Sequence, residues 1–300
     1  MSEQEGRKRL PTVAPNEAIR PLATEFRESV LEVWRFRDML YQLTLRDIRI
    51  KYKQALLGFG WAVFMPAMIV LAGCLIRFAI MRVNNEQVQL ATIAALAIKA
   101  LGWSFFVGTA TFATSSLTGN SQLVTKVYFP RAVLPLASTL AQSFDTVIGA
   151  AVLVLALPLL GARWSSAILW VPLLVVLLFF FTVASSLFLS CANLFYRDVK
   201  YIVQVLLTFG IFFTPVFFEP AMLGPRLGAL CMLNPLAPIL EGLRLTIVDG
   251  HNLLTPLTAT SGAVVWSPLF LLYATLWATL GLGASATLFH RTEFVFAEYA

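Results

Sequence analysis

Six long runs of apolar residues, almost free of charge, constrain this chain more than any other feature. A bilayer span needs about 20 such residues. Residues 55–81 carry one charge, Arg77; 91–118 carry one, Lys99; 132–160 carry one, Asp145. Residues 165–196, the shorter 201–218, and 262–289 carry none. Charged residues make up only 13% of the chain and hydrophobic residues 58%, against about 25% charged in soluble domains. A water-soluble surface needs more charge than this, and a disordered chain needs less apolar content. A membrane β-barrel would show short alternating segments instead of long runs. The expected fold is therefore an all-α integral membrane protein with six transmembrane helices.

The net charge of +6 is explained by where the basic residues fall. With the N-terminus in the cytoplasm, sixteen Lys and Arg lie inside: eleven before the first run, from Arg7 to Lys53, then Lys126, Arg131, Arg197, Lys200 and Arg291. Four lie outside: Arg82, Arg163, Arg226 and Arg244. That bias sets both termini inside and removes the need to invoke nucleic acid. No early apolar core precedes the first run, so that run is expected to act as an uncleaved anchor. Between the fifth and sixth runs, residues 219–249 are apolar but broken by Pro220, Gly224, Pro225, Gly228, Pro235, Pro238 and Gly242. Exposed backbone is not tolerated in lipid, so two short re-entrant helices on the outer side are expected, with an ordinary outside loop as the alternative.

Residues 1–28 show no apolar periodicity and read as a mobile cytoplasmic segment. Ser29 with Glu32 fits a capping box opening a helix over 29–54. Val30, Trp34, Tyr41, Leu45, Ile48 and Tyr52 then share one stripe, flanked by Arg37, Arg49 and Lys51. Aromatic residues beside cations suit the headgroup layer. The expectation is an amphipathic interface helix, the alternative a helix packed on a soluble partner. Residues 290–300 form a cytoplasmic tail.

Chemistry is sparse. Cys74, Cys191 and Cys231 have no metal or redox spacing, and His251 and His290 have no partners at ligand spacing. No phosphate-cradling Gly-Lys loop, nucleophile elbow or HExxH pair is present. Neither metal nor catalytic residues are expected. Arg77 lies near the outer end of its run and can snorkel. Asp145 lies mid-run and suits a helix-to-helix hydrogen bond better than a lone proton relay. Lys99 can be structural or functional, and a pairing of Lys99 with Asp145 is one reading.

Four blocks carry a family resemblance. Arg46-Asp47-Ile48-Arg49-Ile50-Lys51-Tyr52-Lys53-Gln54, with Leu57-Gly58, Trp61 and Pro66, is the first. Asn120, Leu123, Val124, Lys126, Val127, Tyr128, Phe129, Pro130, Arg131 and Pro135 are the second. Tyr196-Arg197-Asp198 is the third, and Thr214-Pro215 with Asn234-Pro235 and Arg244 the fourth. In this order, from about residue 35 to the C-terminus, they resemble the permease subunits of polysaccharide-exporting ABC transporters. Lys99 has no place in that pattern.

The resemblance implies a type-2 ABC exporter fold in the cytoplasmic (inner) membrane, working as a homodimer with two copies of a separate ATPase. ATP and Mg would sit on that ATPase, with no cofactor on this chain. The cargo would be O-antigen, capsule or teichoic acid, often linked to a polyprenyl pyrophosphate lipid. The loop Asn120–Arg131 would meet the ATPase, with Leu123, Val124 and Val127 filling a cleft while Lys126 and Arg131 face water. Arg46, Arg49, Lys51 and Lys53, with Leu57 and Gly58 beside them, would receive the lipid pyrophosphate; contact with anionic lipid explains the cations equally well. Sugar C–H faces pack on aromatic rings, so Phe212, Phe213, Phe217 and Phe218 are candidates for channel lining. A permease for a drug or lipid shares the fold. A membrane glycosyltransferase or gradient-driven carrier is a further alternative, but clustered loop carboxylates and inverted repeats are missing.

Overall fold

The computed structural model describes residues 22–84, 89–161, 165–259, 262 and 264–299. Arg7, Lys8, Arg9, Arg20 and Arg163, and residues 1–21 of the leading segment, lie outside the described residues. Helices α1 (Leu22–Arg35) and α2 (Arg37–Tyr52) lead into α3 (Gly60–Asn84) and α4 (Leu90–Thr114). A short α5 (Ser121–Lys126) precedes α6 (Val133–Ala156), α7 (Val171–Phe195) and α8 (Val199–Phe213). Two short helices follow, α9 (Gly224–Cys231) and α10 (Leu236–Arg244), then strands β1 (Leu257–Thr258) and β2 (Val264–Trp266), and finally α11 (Pro268–Thr292) and α12 (Phe296–Tyr299).

Among the described residues, five helices are long and apolar enough to cross a bilayer: α3, α4, α6, α7 and α11; α8 is apolar but shorter. Their hydroxyl side chains fold back on their own turns, as Thr114 does to the Ala110 carbonyl and Thr182 to the Leu178 carbonyl. These hydroxyls are thus satisfied without water, as an apolar surround favours, whereas the Ser104 and Thr109 hydroxyls of α4 are buried without a partner. Three buried clusters hold the bundle. One, around Leu43, Leu117, Val133 and Phe289, sits at the α2 end; one, around Leu96, Trp103 and Leu240, sits in the middle; one, around Met232, Leu253 and Trp266, sits at the opposite end. Gly102 lets α10 close on α4: a Cβ there would meet Leu240 Cδ2 at 2.5 Å.

Three local expectations are corrected. Ser29 does not cap a helix. It lies inside α1, which starts seven residues earlier at Leu22, and its hydroxyl donates to the Glu25 carbonyl at 3.0 Å. The stripe from Val30 to Tyr52 is not one helix, because the chain breaks at Phe36. Val30, Trp34 and Tyr41 stay exposed, whereas Leu45, Ile48 and Tyr52 turn partly inward. Both pieces are tethered to the bundle: α1 lies against α11, where Arg291 grips Glu25 at 2.9 and 3.0 Å, and α2 runs along α6. Finally, the apolar run beginning at residue 262 is first an extended strand. The last long helix starts at Pro268, where Ser267 accepts from the Leu269 amide at 3.4 Å and proline supplies a fixed φ at the first turn.

Candidate functional site

A hollow of about 670 Å³ lies between α3, α4 and α6. Its wall is apolar and aromatic, including Trp61, Met65, Trp103, Phe105, Phe112 and Phe217. Its polar edge is built by four residues from two helices: Lys51 and Tyr52 at the end of α2, and Gln142 and Asp145 on α6. Lys51 Nζ forms an ion pair with Asp145 and donates to Gln142 Oε1 at 3.0 Å. The Tyr52 hydroxyl donates to the other Asp145 oxygen. Lys51 Nζ also stands 5.2 Å over the Phe112 ring, a cation–π distance. Burial, then the bond to Asp145, pushes the Tyr52 phenol above its ordinary value, so it stays a donor.

Asp145 is twelve residues into α6, which places it about 18 Å along that helix at 1.5 Å per residue. A bare carboxylate there would be costly. The α2 terminus, running beside α6, brings it a cation and a phenol. Gly108 permits the close approach of α4: a Cβ there would meet Gln142 Cδ at 2.7 Å. The Asp145 side chain is 5% exposed and that of Lys51 31%. The other basic residues of the first block behave differently. Arg46 pairs with its neighbour Asp47 at 2.8 Å, and Arg49 and Lys53 are exposed. Leu57 is exposed, and Gly58 takes φ +51° in the turn joining α2 to α3, a left-handed conformation that suits glycine.

A second charged cluster lies toward the opposite end, around Glu241 of α10. Lys99 of α4 donates to Glu241 at 3.3 Å and to the Phe218 carbonyl at 2.8 Å. Arg244 pairs with Glu241 and with Asp249, each at 2.8 Å. Arg77 of α3 meets Glu219 at 3.0 Å and the Met222 sulfur. Arg77 is therefore buried and paired and does not snorkel, because the broken segment folds back over α3. Lys99 does not pair with Asp145 either; α10 lies nearer to Lys99 and supplies the carboxylate. Sequence reasoning missed Glu241, because Glu219, Glu241 and Asp249 lie far apart in the chain. Its spacing of three from Arg244 on one helix was the available signal.

The loop around α5 turns its apolar side inward. Val124 is buried with Phe129, Leu43 and Phe296, and Leu123 packs against them. Arg131 does not face water: its guanidinium donates to the Val124 carbonyl at 3.2 Å and to the Glu293 carbonyl at 3.2 Å. Asn120 donates to the Ser116 carbonyl at 2.8 Å and shapes the turn before α5. What the loop presents outward is Lys126, Val127 and, above all, Tyr128, which is 97% exposed.

The ABC-2 type transporter family matches residues 39–248. The chain belongs to that family. The matched stretch takes in the polar edge of the hollow, the α5 loop and, apart from Asp249, the Glu241 cluster. Together with five apolar helices of spanning length, membership makes this ABC-2 type chain a multi-pass membrane protein. It is similar to two O-antigen export system permease proteins named RfbA. That of Klebsiella pneumoniae is 27% identical over 214 residues, 71% of this chain and 81% of the relative. That of Myxococcus xanthus is 26% identical over 246 residues, 79% and 92%.

Within the ABC-2 type fold the four phenylalanines separate. Phe212 and Phe213 stand exposed at the end of α8. Phe213 also borders a smaller hollow of about 340 Å³ shared with Phe106, Phe181 and Phe188. Phe217 is buried and walls the large hollow. Phe218 offers its carbonyl to Lys99. Among the described residues, no group of three or more His, Cys, Asp or Glu side chains could hold a metal ion.

Proposed function

We propose that this chain is the membrane-spanning subunit of an ATP-driven exporter that moves a polysaccharide across the cytoplasmic membrane. The observation that carries the reading is family membership joined to relatives that are O-antigen export permeases, matched over most of both chains. The large hollow walled by aromatic rings supports it, since sugar C–H faces pack on such walls without strong hydrogen bonds that would trap them.

In this reading α8 is the sixth span, both termini are cytoplasmic, and α9 with α10 forms a re-entrant unit on the outer side. Two copies of the chain pair, and two copies of an ATPase, carrying ATP and Mg, supply the energy. The cargo is lipid-linked, its pyrophosphate met by Arg49, Lys51 and Lys53 where α2 turns into α3. The ATPase docks on the outward side of the α5 loop. That side is Lys126, Val127 and Tyr128; Leu123 and Val124 hold the loop to the bundle from within. Exposed aromatic rings of this kind anchor interfaces.

The test is deletion of the gene with staining of cell-surface polysaccharide, together with affinity purification of the chain. The reading expects loss of surface polysaccharide and co-purification of a separate ATPase. Transport by the chain alone, driven by a proton gradient, would refute it.

A further inference from the structure

The Lys51–Asp145 contact is built to open. It joins residues 94 positions apart, and both partners line the edge of the 670 Å³ hollow. Behind it, the chain cannot transmit helical stiffness from α2 to α3. Gln54 takes φ +63° and Gly58 φ +51°, so the connection contains two left-handed residues, one of them not a glycine. The turn thus separates the two helices, and a movement of the α2 end would pivot there without unwinding either helix. Lys51 is also the accessible partner, at 31% exposed against 5% for Asp145. An anion arriving from outside meets Lys51 first, with the exposed Arg49 and Lys53 beside it.

We infer that Asp145 is a built-in stand-in for phosphate: it holds Lys51, and with it the α2 end, across the mouth of the hollow until a phosphate-bearing lipid headgroup takes Lys51 away. A pyrophosphate link carries two negative charges against one for a carboxylate, and its oxygens accept from several cations at once. Lys51, Arg49 and Lys53 can converge on it, whereas Asp145 engages Lys51 alone among them. When Lys51 leaves with the α2 end, Tyr52 leaves with it, and Gln142, three residues back on α6, stays beside the carboxylate. Asp145 is thus a positioning residue, and Lys51 an exchangeable cation. The inference rests on the proposed function in taking the α2–α3 corner as the portal for a lipid-linked cargo.

The experiment reads the mouth directly. An Ala62→Cys reporter, at a buried position on the wall of the hollow, is placed in the full chain, with Cys74, Cys191 and Cys231 replaced by alanine, in proteoliposomes. The labelling rate by a charged maleimide is measured alone and with geranylgeranyl pyrophosphate, geranylgeraniol or inorganic pyrophosphate. Geranylgeranyl pyrophosphate should speed labelling several-fold, and the uncharged alcohol should not. Inorganic pyrophosphate separates the phosphate from its lipid: a response to it too keeps the exchange and shows that the phosphate suffices. Asp145→Asn should label fast from the start and gain nothing from the pyrophosphates. The double variant Lys51→Met/Asp145→Asn leaves no unpaired charge and should behave the same, which guards against misfolding of the single variant. Slow basal labelling in the double variant, an equal response to the alcohol, or no response of the starting reporter to either pyrophosphate overturns the inference. Deletion phenotypes do not depend on this assay, so polysaccharide loss on deletion beside a failed labelling result sinks only the exchange.

Discussion

Two charged clusters cross this bundle, and they are built for opposite ends. The Glu241 cluster is closed. Glu241 is 0% exposed, Lys99 2% and Arg244 6% by side chain, and the Glu241 carboxylate accepts from both cations. The Asp145 cluster has one buried member and one reachable from outside. Buried charges that are fully satisfied hold elements in one arrangement, whereas a pair with one solvated partner yields to competing ions. One cluster fixes α10 to α4; the other holds α2 to α6 reversibly.

The largest expected effect comes from breaking the closed cluster. Glu241→Gln leaves two buried cations facing a neutral group, and removal of one partner from a buried pair costs about 3–5 kcal/mol. The protein should fail to accumulate, or its melting transition in detergent should fall by about 6–20 °C. Lys99→Met sharpens the point. It leaves Glu241 its bond to Arg244, so it should be milder and still purify. Equal loss in both variants would mean that the cluster does not work through Glu241 as its hub.

Next is Gly228→Ala, in the segment that the closed cluster tethers. The new Cβ would stand 2.5 Å from the Pro220 carbonyl oxygen, and backbone cannot step aside as a side chain can. Overpacking of this kind costs about 1–3 kcal/mol. Limited proteolysis should cut the α9–α10 region faster, with the α2 end unchanged. Cleavage spread over the whole chain would contradict the separation of the two ends.

The open cluster predicts an asymmetry. Lys51→Met strands the buried Asp145 with a phenol for company, whereas Asp145→Asn frees a lysine that can turn to water. Lys51→Met should therefore lower thermal stability more than Asp145→Asn, the latter by about 1 kcal/mol or less. The reverse order in a melting measurement would show that Lys51, not Asp145, is the desolvated partner.

How much of this was readable beforehand depends on the range of the interaction. The long helices follow from runs of apolar residues, and the break at residues 219–249 from its prolines and glycines, because these are local. The direction in which each side of the α5 loop faces was not legible: Leu123, Val124, Val127 and Tyr128 are all apolar or aromatic, and only packing against Leu43 and Phe296 decides which turn inward. The partners of Lys99 and Asp145 are 142 and 94 residues away, and no spacing in one sequence encodes such a meeting. The false capping box at Ser29 shows the converse: a correct local motif is overridden when the chain before it also finds a helix to pack on, here α11.

The smallest structural effect, and the sharpest functional one, belongs to Tyr128. A residue 97% exposed with no buried contact to lose should change stability by less than about 0.5 kcal/mol on replacement by alanine. If the ATPase docks on the outward side of the loop, Tyr128→Ala should nevertheless weaken co-purification of the ATPase and cut surface polysaccharide. Leu123→Asp must lower both stability and export, because Leu123 packs on the core that anchors the loop and a carboxylate there is desolvated. The two variants therefore separate docking from folding. Full export in Tyr128→Ala, with reduced export only in Leu123→Asp, would place the contact with the ATPase elsewhere on this end of the bundle.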